Sequence, residues 1–439
     1  MNRDNSGLGV AETEDFAQSQ VPEDHTYSGV HIALIIIGGT IGMAVFLMAA
    51  QVGSALGIHK AALAFVSGSL ILGILGALTS YVGAKSRYST YMLAEFAFGR
   101  KGALWVNALI ALTLIGWYGV ISNVFGQAAS FVLADLYGIE LPVWLFILLG
   151  SALMIGVTLS GFQGIDKLAL YLVPFMVAFI GYAAWLSWGD VKSWTQPVAN
   201  TPPISFSWAV SAVVGTYIVG VIIQPDYSRF ARNVTHAVWA AFLALGLTFP
   251  LILFLTAVPS GATGESDLIG IMIAIGIGLP AFFLLLLGAW SSNVLCLYSS
   301  GLSLSTIIRR VHLWQIILVI GLVGTGLALM RAQEYFTDFL LFLGITIPPI
   351  GAIYVLDVLL LRRRGVDPQD LEREPSYDVA AFTAWGAATV MGYLAAHEVI
   401  SLTYIASVDS ILLAAVLYVL LKWRKKTTGA PETQGKIEG

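Results

Sequence analysis

The chain has 439 residues, of which 57% are hydrophobic and 11% charged, with mean hydropathy +0.83, whereas soluble domains carry about 25% charged residues. So sparse a polar surface excludes a soluble enzyme and points to an integral membrane protein, whose apolar side chains lipid can solvate. A net charge of −4 leaves no electrostatic footprint for nucleic acid. The single cysteine, Cys296, lies in an apolar run, which excludes an intramolecular disulfide and reads as a small buried hydrophobe.

Residues 1–29 carry Asp4, Glu12, Asp15, Glu23 and Asp24 against Arg3, the wrong composition for a cleaved signal peptide, and read as a disordered cytoplasmic tail. Apolar runs long enough to cross a bilayer follow at 30–56, 61–84, 103–131, 143–161, 167–188 and 207–224. Six more lie at 236–258, 279–307, 313–330, 336–360, 378–396 and 403–421, and the stretch 268–277 reads as a short re-entrant or interfacial helix. Residues 422–439 form a second cytoplasmic tail. The runs are continuously apolar and do not alternate, so they are helices and not barrel strands. The expected fold is all-α with twelve transmembrane helices.

An even count places both termini on one side, and the positive charges say which. With the N-terminus inside, nineteen of the 22 Lys and Arg residues are cytoplasmic and only Lys60, Lys192 and Arg331 lie outside. The expected location is the plasma (inner) membrane, multi-pass, with both termini cytoplasmic.

Four places in these runs are unusual. The first run contains Ile37-Gly38-Gly39-Thr40-Ile41-Gly42 and the sixth Val214-Gly215-Thr216-Tyr217-Ile218-Val219-Gly220. Glycine there either lets helices pack closely or marks an unwound segment lining a cavity. Their positions five runs apart match transporters that break the first helix of each of two inverted repeats. The third run carries Gly116-Trp117-Tyr118-Gly119, placing an indole near mid-membrane as a stacking face or as packing. The eighth carries Gly288-Ala289-Trp290-Ser291-Ser292-Asn293, with two hydroxyls that either face a cavity or bond back to the preceding turn. Hydroxyls and carbonyls are hard ligands suited to Na⁺. No run has a clearly central acidic residue, which favours Na⁺ over H⁺ coupling. Asp226, in Pro225-Asp226-Tyr227-Ser228-Arg229-Phe230, reads as a helix-ending element with an Asp226–Arg229 pair at the inner mouth.

The chain resembles the nucleobase:cation symporter family of purine-cytosine permeases and hydantoin transporters. The likeness is carried by Tyr81-Val82-Gly83-Ala84-Lys85, Ala94-Glu95-Phe96-Ala97-Phe98-Gly99, Gly116-Trp117-Tyr118-Gly119, Asp226-Tyr227-Ser228-Arg229-Phe230 and Tyr298-Ser299-Ser300-Gly301-Leu302. It implies a leucine-transporter-like fold of five-plus-five inverted repeats, at 30–188 and 207–360, with broken helices 1 and 6 and two added helices at 378–421. It implies a Na⁺ site formed by Gly38, Ile41, Gly288, Ser291 and Ser292. It also implies a planar heterocycle stacked by Trp117 and Tyr217 and hydrogen-bonded by Asn293. Cytosine permeases have Gln and Ser where this chain has Leu114 and Val219, so cytosine itself is expected to bind poorly unless Thr216, Asn123 or Gln127 compensates.

The expected function is import of a nucleobase or related heterocycle (cytosine, purine or hydantoin-like) by Na⁺ symport through alternating access, in a monomer whose partners are that small molecule and lipid. The alternative is a proton-coupled or uncoupled permease for another small heterocycle, such as a vitamin precursor. A membrane enzyme lacks support, since the sequence has no HExxH, no GxSxG and no Cys nucleophile with a plausible His nearby. A channel does not require paired helix breaks around an aromatic clamp.

Overall fold

The computed structural model describes residues 16, 19–191, 194–198, 201, 203–263, 278–308, 310–330, 342–362, 371, 374–397 and 399–428. The stretch 268–277 therefore lies outside the described residues. The chain runs through α1 (Gly29–Thr40), α2 (Met43–Leu56), α3 (Ile58–Ser86), α4 (Thr90–Phe98), α5 (Gly102–Tyr137), α6 (Val143–Thr158), α7 (Gly161–Ser187) and α8 (Phe206–Ile222). It continues through α9 (Pro225–Ser228), α10 (Val234–Phe242), α11 (Phe249–Thr263), α12 (Gly278–Ile307), α13 (Leu313–Leu329), α14 (Pro348–Leu356), α15 (Val379–Ala396) and α16 (Ala406–Thr428). Among the described residues the sole β pairing is an isolated bridge between Tyr27 and Ala231. The protein is an all-helical membrane protein. Among the described residues seven helical stretches are long and apolar enough to cross a bilayer, and the bent pair α1–α2 makes an eighth. α6, α8 and α13 are shorter apolar helices.

The first apolar run is broken. Beyond Thr40 the backbone turns extended at Gly42 (φ −146°, ψ 161°), and the two halves of the run meet at 64°. The sixth run behaves differently from expectation. α8 continues unbroken through Gly215 and Gly220 and stops at Ile222, after which Pro225, which has no N–H to donate, opens the one-turn α9. The interruption thus lies at 223–224, not at the glycines. The run 234–263 is continuous but passes through a π-helical segment, Leu243–Thr248, a register slip that accommodates the missing N–H of Pro250.

Segments that the positive-inside rule assigns to one side do meet at one end of the bundle. Val21 N–H donates to Arg87 carbonyl (3.2 Å), Tyr27 N–H to Phe230 carbonyl (2.7 Å) and Asp378 N–H to Phe98 carbonyl (2.9 Å). At the opposite end His59 N–H donates to Trp194 carbonyl (2.9 Å) and Val198 N–H to Ser54 carbonyl (2.8 Å). The expectation of disorder through residue 29 is corrected for 19–28. Gln20 Nε2 donates to Ser86 carbonyl (3.0 Å), Val21 is buried, and Tyr27 packs edge-on against Phe162. Deep in the bundle α5 lies along α12, with α1 and α2 crossing α12 and α8 packed on α3. That arrangement places the α1–α2 break opposite Ser291 and Ser292.

Candidate functional site

A cavity of about 60 Å³ opens beside the break, against the roughly 10–15 Å³ that one water requires. Its wall comes from α5 (Leu114, Trp117), α8 (Thr216, Tyr217, Val219) and the break itself (Gly39, Gly42), with Ser292 from α12. Five of the six residues expected to touch substrate therefore line one space. Tyr217 is held from behind. Its hydroxyl donates to Ile36 carbonyl (3.3 Å), and its ring lies 6.0 Å from Phe249. Two glycines let that ring sit where it does: a Cβ on Gly39 would fall 2.7 Å from the Tyr217 hydroxyl, and one on Gly220 would fall 2.6 Å from the ring.

Asn293 is the exception: it does not line the cavity in this conformation, although among the described residues its side-chain oxygen is buried with no hydrogen-bond partner. Its amide nitrogen donates to Ser122 Oγ (2.8 Å) and Tyr118 carbonyl (3.3 Å), and it is not in the cavity wall. On α12, three residues after Trp290, it faces the α5–α6 side, where those acceptors lie buried. Asn123 and Gln127 do not compensate either: Asn123 Nδ2 donates to Ala328 carbonyl (2.6 Å), and Gln127 Nε2 to Asn123 Oδ1 (2.8 Å). Thr216 does line the cavity, with its hydroxyl proton given to Ala212 carbonyl (2.6 Å), so it can offer only an acceptor. Sequence reasoning missed Thr113, Tyr227 and Cys296 in the wall. Cys296 was legible, being one turn after Ser292 on the same helix face.

The five residues expected at the cation also converge. A Cβ on Gly38 would lie 2.7 Å from Ser291 Oγ, and one on Gly288 would lie 2.7 Å from Ile41 carbonyl oxygen. Because α1 gives out at Thr40, its last carbonyls have no following helical N–H. Ser291 and Ser292 are buried, and among the described residues neither hydroxyl has a hydrogen-bond partner. The donor set is all oxygen, neutral and small, which fits a hard monovalent cation and not a soft metal. Among the described residues no cluster of His, Cys, Asp and Glu is suited to a transition metal.

A discontinuous first helix whose carbonyls face free hydroxyls, beside an aromatic cavity, defines a secondary transporter of the broken-helix class. Residues 20–421 match the family described as permease for cytosine/purines, uracil, thiamine, allantoin, and the chain belongs to that family. It is 30% identical to the cytosine permease of Escherichia coli over 425 residues, 96% of this chain and 98% of that one. It is 26% identical to the hydantoin permease of Microbacterium maritypicum, over 90% of this chain and 86% of the relative. Among solved structures, a nucleobase-cation-symport family transporter in a closed conformation with bromovinylhydantoin bound superposes with TM-score 0.82, at 20% identity over 95% of this chain and 96% of the other. A Na⁺-coupled sialic acid symporter gives TM-score 0.67 at 13% identity, over 92% and 93%. These establish a leucine-transporter-like fold and a permease, not an enzyme.

Proposed function

We propose that this permease imports a nucleobase-like planar heterocycle by Na⁺ symport, binding the ring between Trp117 and Tyr217 and the ion between the α1–α2 break and Ser291–Ser292. The observation that carries the reading is the pair of unbonded hydroxyls set against the free carbonyl end of α1, sharing the break with the aromatic cavity. An ion there would tie α12 to the break. Because Gly39 and Gly42 line the cavity, tightening the break shapes the substrate wall, so each ligand favours the conformation that binds the other. Alternating access then follows from movement of the α1, α2 and α8 group against the rest, within inverted repeats at 30–188 and 207–360. The charge distribution supports an inner-membrane protein with both termini cytoplasmic, and the monomer is a sufficient unit because the cavity is built from one chain.

The substrate wall is poor in donors: Thr113 and Thr216 spend their protons on Ile110 and Ala212 carbonyls. With Leu114 and Val219 in place of polar partners, this favours a ring other than cytosine. The test is thermal unfolding of the purified protein with cytosine, uracil, hydantoin or allantoin, in Na⁺ and in choline. Stabilisation by one of these rings only when Na⁺ is present is the expected result. Equal stabilisation in choline would remove Na⁺ from the site, and no response to any heterocycle would remove the substrate class.

A further inference from the structure

Five aspartates in the described bundle are buried, and four of them have the company an ionised carboxylate needs. Asp166 bonds His31 (2.7 Å), Asp357 accepts from Arg362 (2.7 Å) and Tyr418 (2.8 Å), and Asp378 accepts from Lys422 (2.7 Å) and Ala381 N–H (3.0 Å). Asp409 takes two hydroxyls and two backbone N–H groups at 2.6–2.9 Å. Asp226, in the short α9 between spans, is fully buried and differs from all of these. Its Oδ1 accepts one N–H, from Thr90 (2.9 Å), and its Oδ2 has no hydrogen-bond partner. Arg229 does not close the expected pair on that carboxylate: its Nε donates to the Asp226 backbone carbonyl (3.3 Å), and its remaining nitrogens reach Phe16 carbonyl (2.7 Å) and Tyr298 hydroxyl (3.2 Å).

The surroundings are acceptors as much as donors. Among the described residues the side-chain oxygens of Gln224, Ser228 and Thr90 and the hydroxyl of Tyr91 are likewise buried with no hydrogen-bond partner. A neutral acid adds an O–H that can donate into such a group, where a carboxylate can only accept. The groups facing Asp226 are Tyr91 from α4, Tyr227 and Arg229 from its own segment, Ser299 from α12 and Tyr354 from α14. Of the helices also packed on α9, α1 has His31 alone, turned to Asp166, and α3 presents Gly83 to Ser228 while its Lys85 lies over Tyr81 (5.5 Å). Among the described residues Arg229 is the formal charge that acts on Asp226. Burial pushes the Asp226 carboxyl above the usual carboxylate range despite that guanidinium and despite the Thr90 N–H and the Ser299 and Tyr91 hydroxyls, which favour the charged form.

A route from this acid to the cavity is visible. Tyr227 lines the cavity, and its hydroxyl shares a hydrogen bond with Ser299 Oγ (3.1 Å), which in turn faces the Asp226 carboxyl. We propose that Asp226 is a proton-binding site, occupied in this conformation and exchanging its proton with the substrate cavity through the hydroxyls of Ser299 and Tyr227. The proton is a ligand additional to the cation at Ser291 and Ser292, and the site stands whether or not Na⁺ couples transport.

The test is infrared spectroscopy of the purified full chain at about pH 7, where exposed aspartates are ionised. A carboxylic-acid carbonyl band is expected, shifted when the protein is made with aspartate carrying heavy carbon in its side-chain carboxyl and absent from Asp226→Asn. No labelled acid band in the unmodified protein, or a band that survives in folded Asp226→Asn, overturns the proposal. If Asp226→Asn does not accumulate, Tyr91→Phe serves: the band is expected to move, and an unmoved band overturns the assignment. The route is read by transfer to deuterated buffer. Exchange of the band should slow about ten-fold or more in Tyr227→Phe, and an unchanged rate would overturn access through the cavity.

Discussion

Serine behaves in two ways along α12. Ser300 and Ser305 donate to the carbonyls of Leu297 and Leu302 one turn back (3.0 and 2.7 Å), and Thr306 does the same to Ser303 (2.7 Å), the ordinary fate of a hydroxyl in an apolar helix. Ser291 and Ser292 make no such bond and meet the end of α1 instead. Ser291→Ala with Ser292→Ala is therefore expected to reduce the stabilisation that Na⁺ gives in thermal unfolding, whereas Ser305→Ala leaves it unchanged. Equal responses in the two variants would refute the ion site. On the substrate side, Trp117→Ala should weaken binding of the ring found by the screen by about 1–3 kcal/mol while the protein remains folded, read by calorimetry. Leu114→Gln with Val219→Ser should shift preference toward cytosine, because an amide and a hydroxyl can meet ring groups that leucine and valine leave unpaired. A double variant with unaltered preference would place selectivity in other wall residues, Thr113 and Tyr227 first.

Helices locate these side chains, and glycine does different things in the two runs that carry it. In the first run Gly38 and Gly39 let α1 end against Ser291 and Tyr217. In the sixth, Gly215 meets nothing within 4 Å and lines the cavity, while Gly220 makes room for the ring of Tyr217 one turn away. Both serve the space beside an intact helix. Gly220→Ala is accordingly expected to keep or raise thermal stability, since alanine favours a helix interior by up to about 1 kcal/mol, yet to displace Tyr217 and lower ligand affinity. Loss of folding with no specific loss of binding would show the glycine to be structural only. At the start of α15, Asp378 caps the helix through Ala381 N–H and holds Lys422 of α16. Asp378→Ala should cost about 1–3 kcal/mol, measured as a lower unfolding midpoint with Na⁺ dependence retained.

At the scale of the whole molecule, the proposed ion and ring sites share the break between α1 and α2, so the effects of the two ligands on stability should exceed additivity. With each at about a hundred times its Kd, one ligand alone adds about 2.7 kcal/mol, and the two together should add more than twice that. Strict additivity in the thermal shift would mean that the sites are uncoupled. The sequence by itself determined the class, because membrane spans are written locally in hydropathy, which does not depend on a partner helix. It also picked out runs that the structure brings to one cavity, since Gly-Gly, Gly-Trp and Ser-Ser pairs are conspicuous in an apolar run. Only the tertiary structure decided which way side chains on those helices turn. Asn293 faces Ser122 and Tyr118 because their buried oxygens lie on the α5–α6 side. Tyr227 reaches the cavity because the chain turns at 223–224. Asp226 lies buried with one oxygen unpartnered because Arg229 bonds backbone and Tyr298 instead. Each of these depends on groups distant in sequence, whose meeting is set by helix packing and not by local pattern.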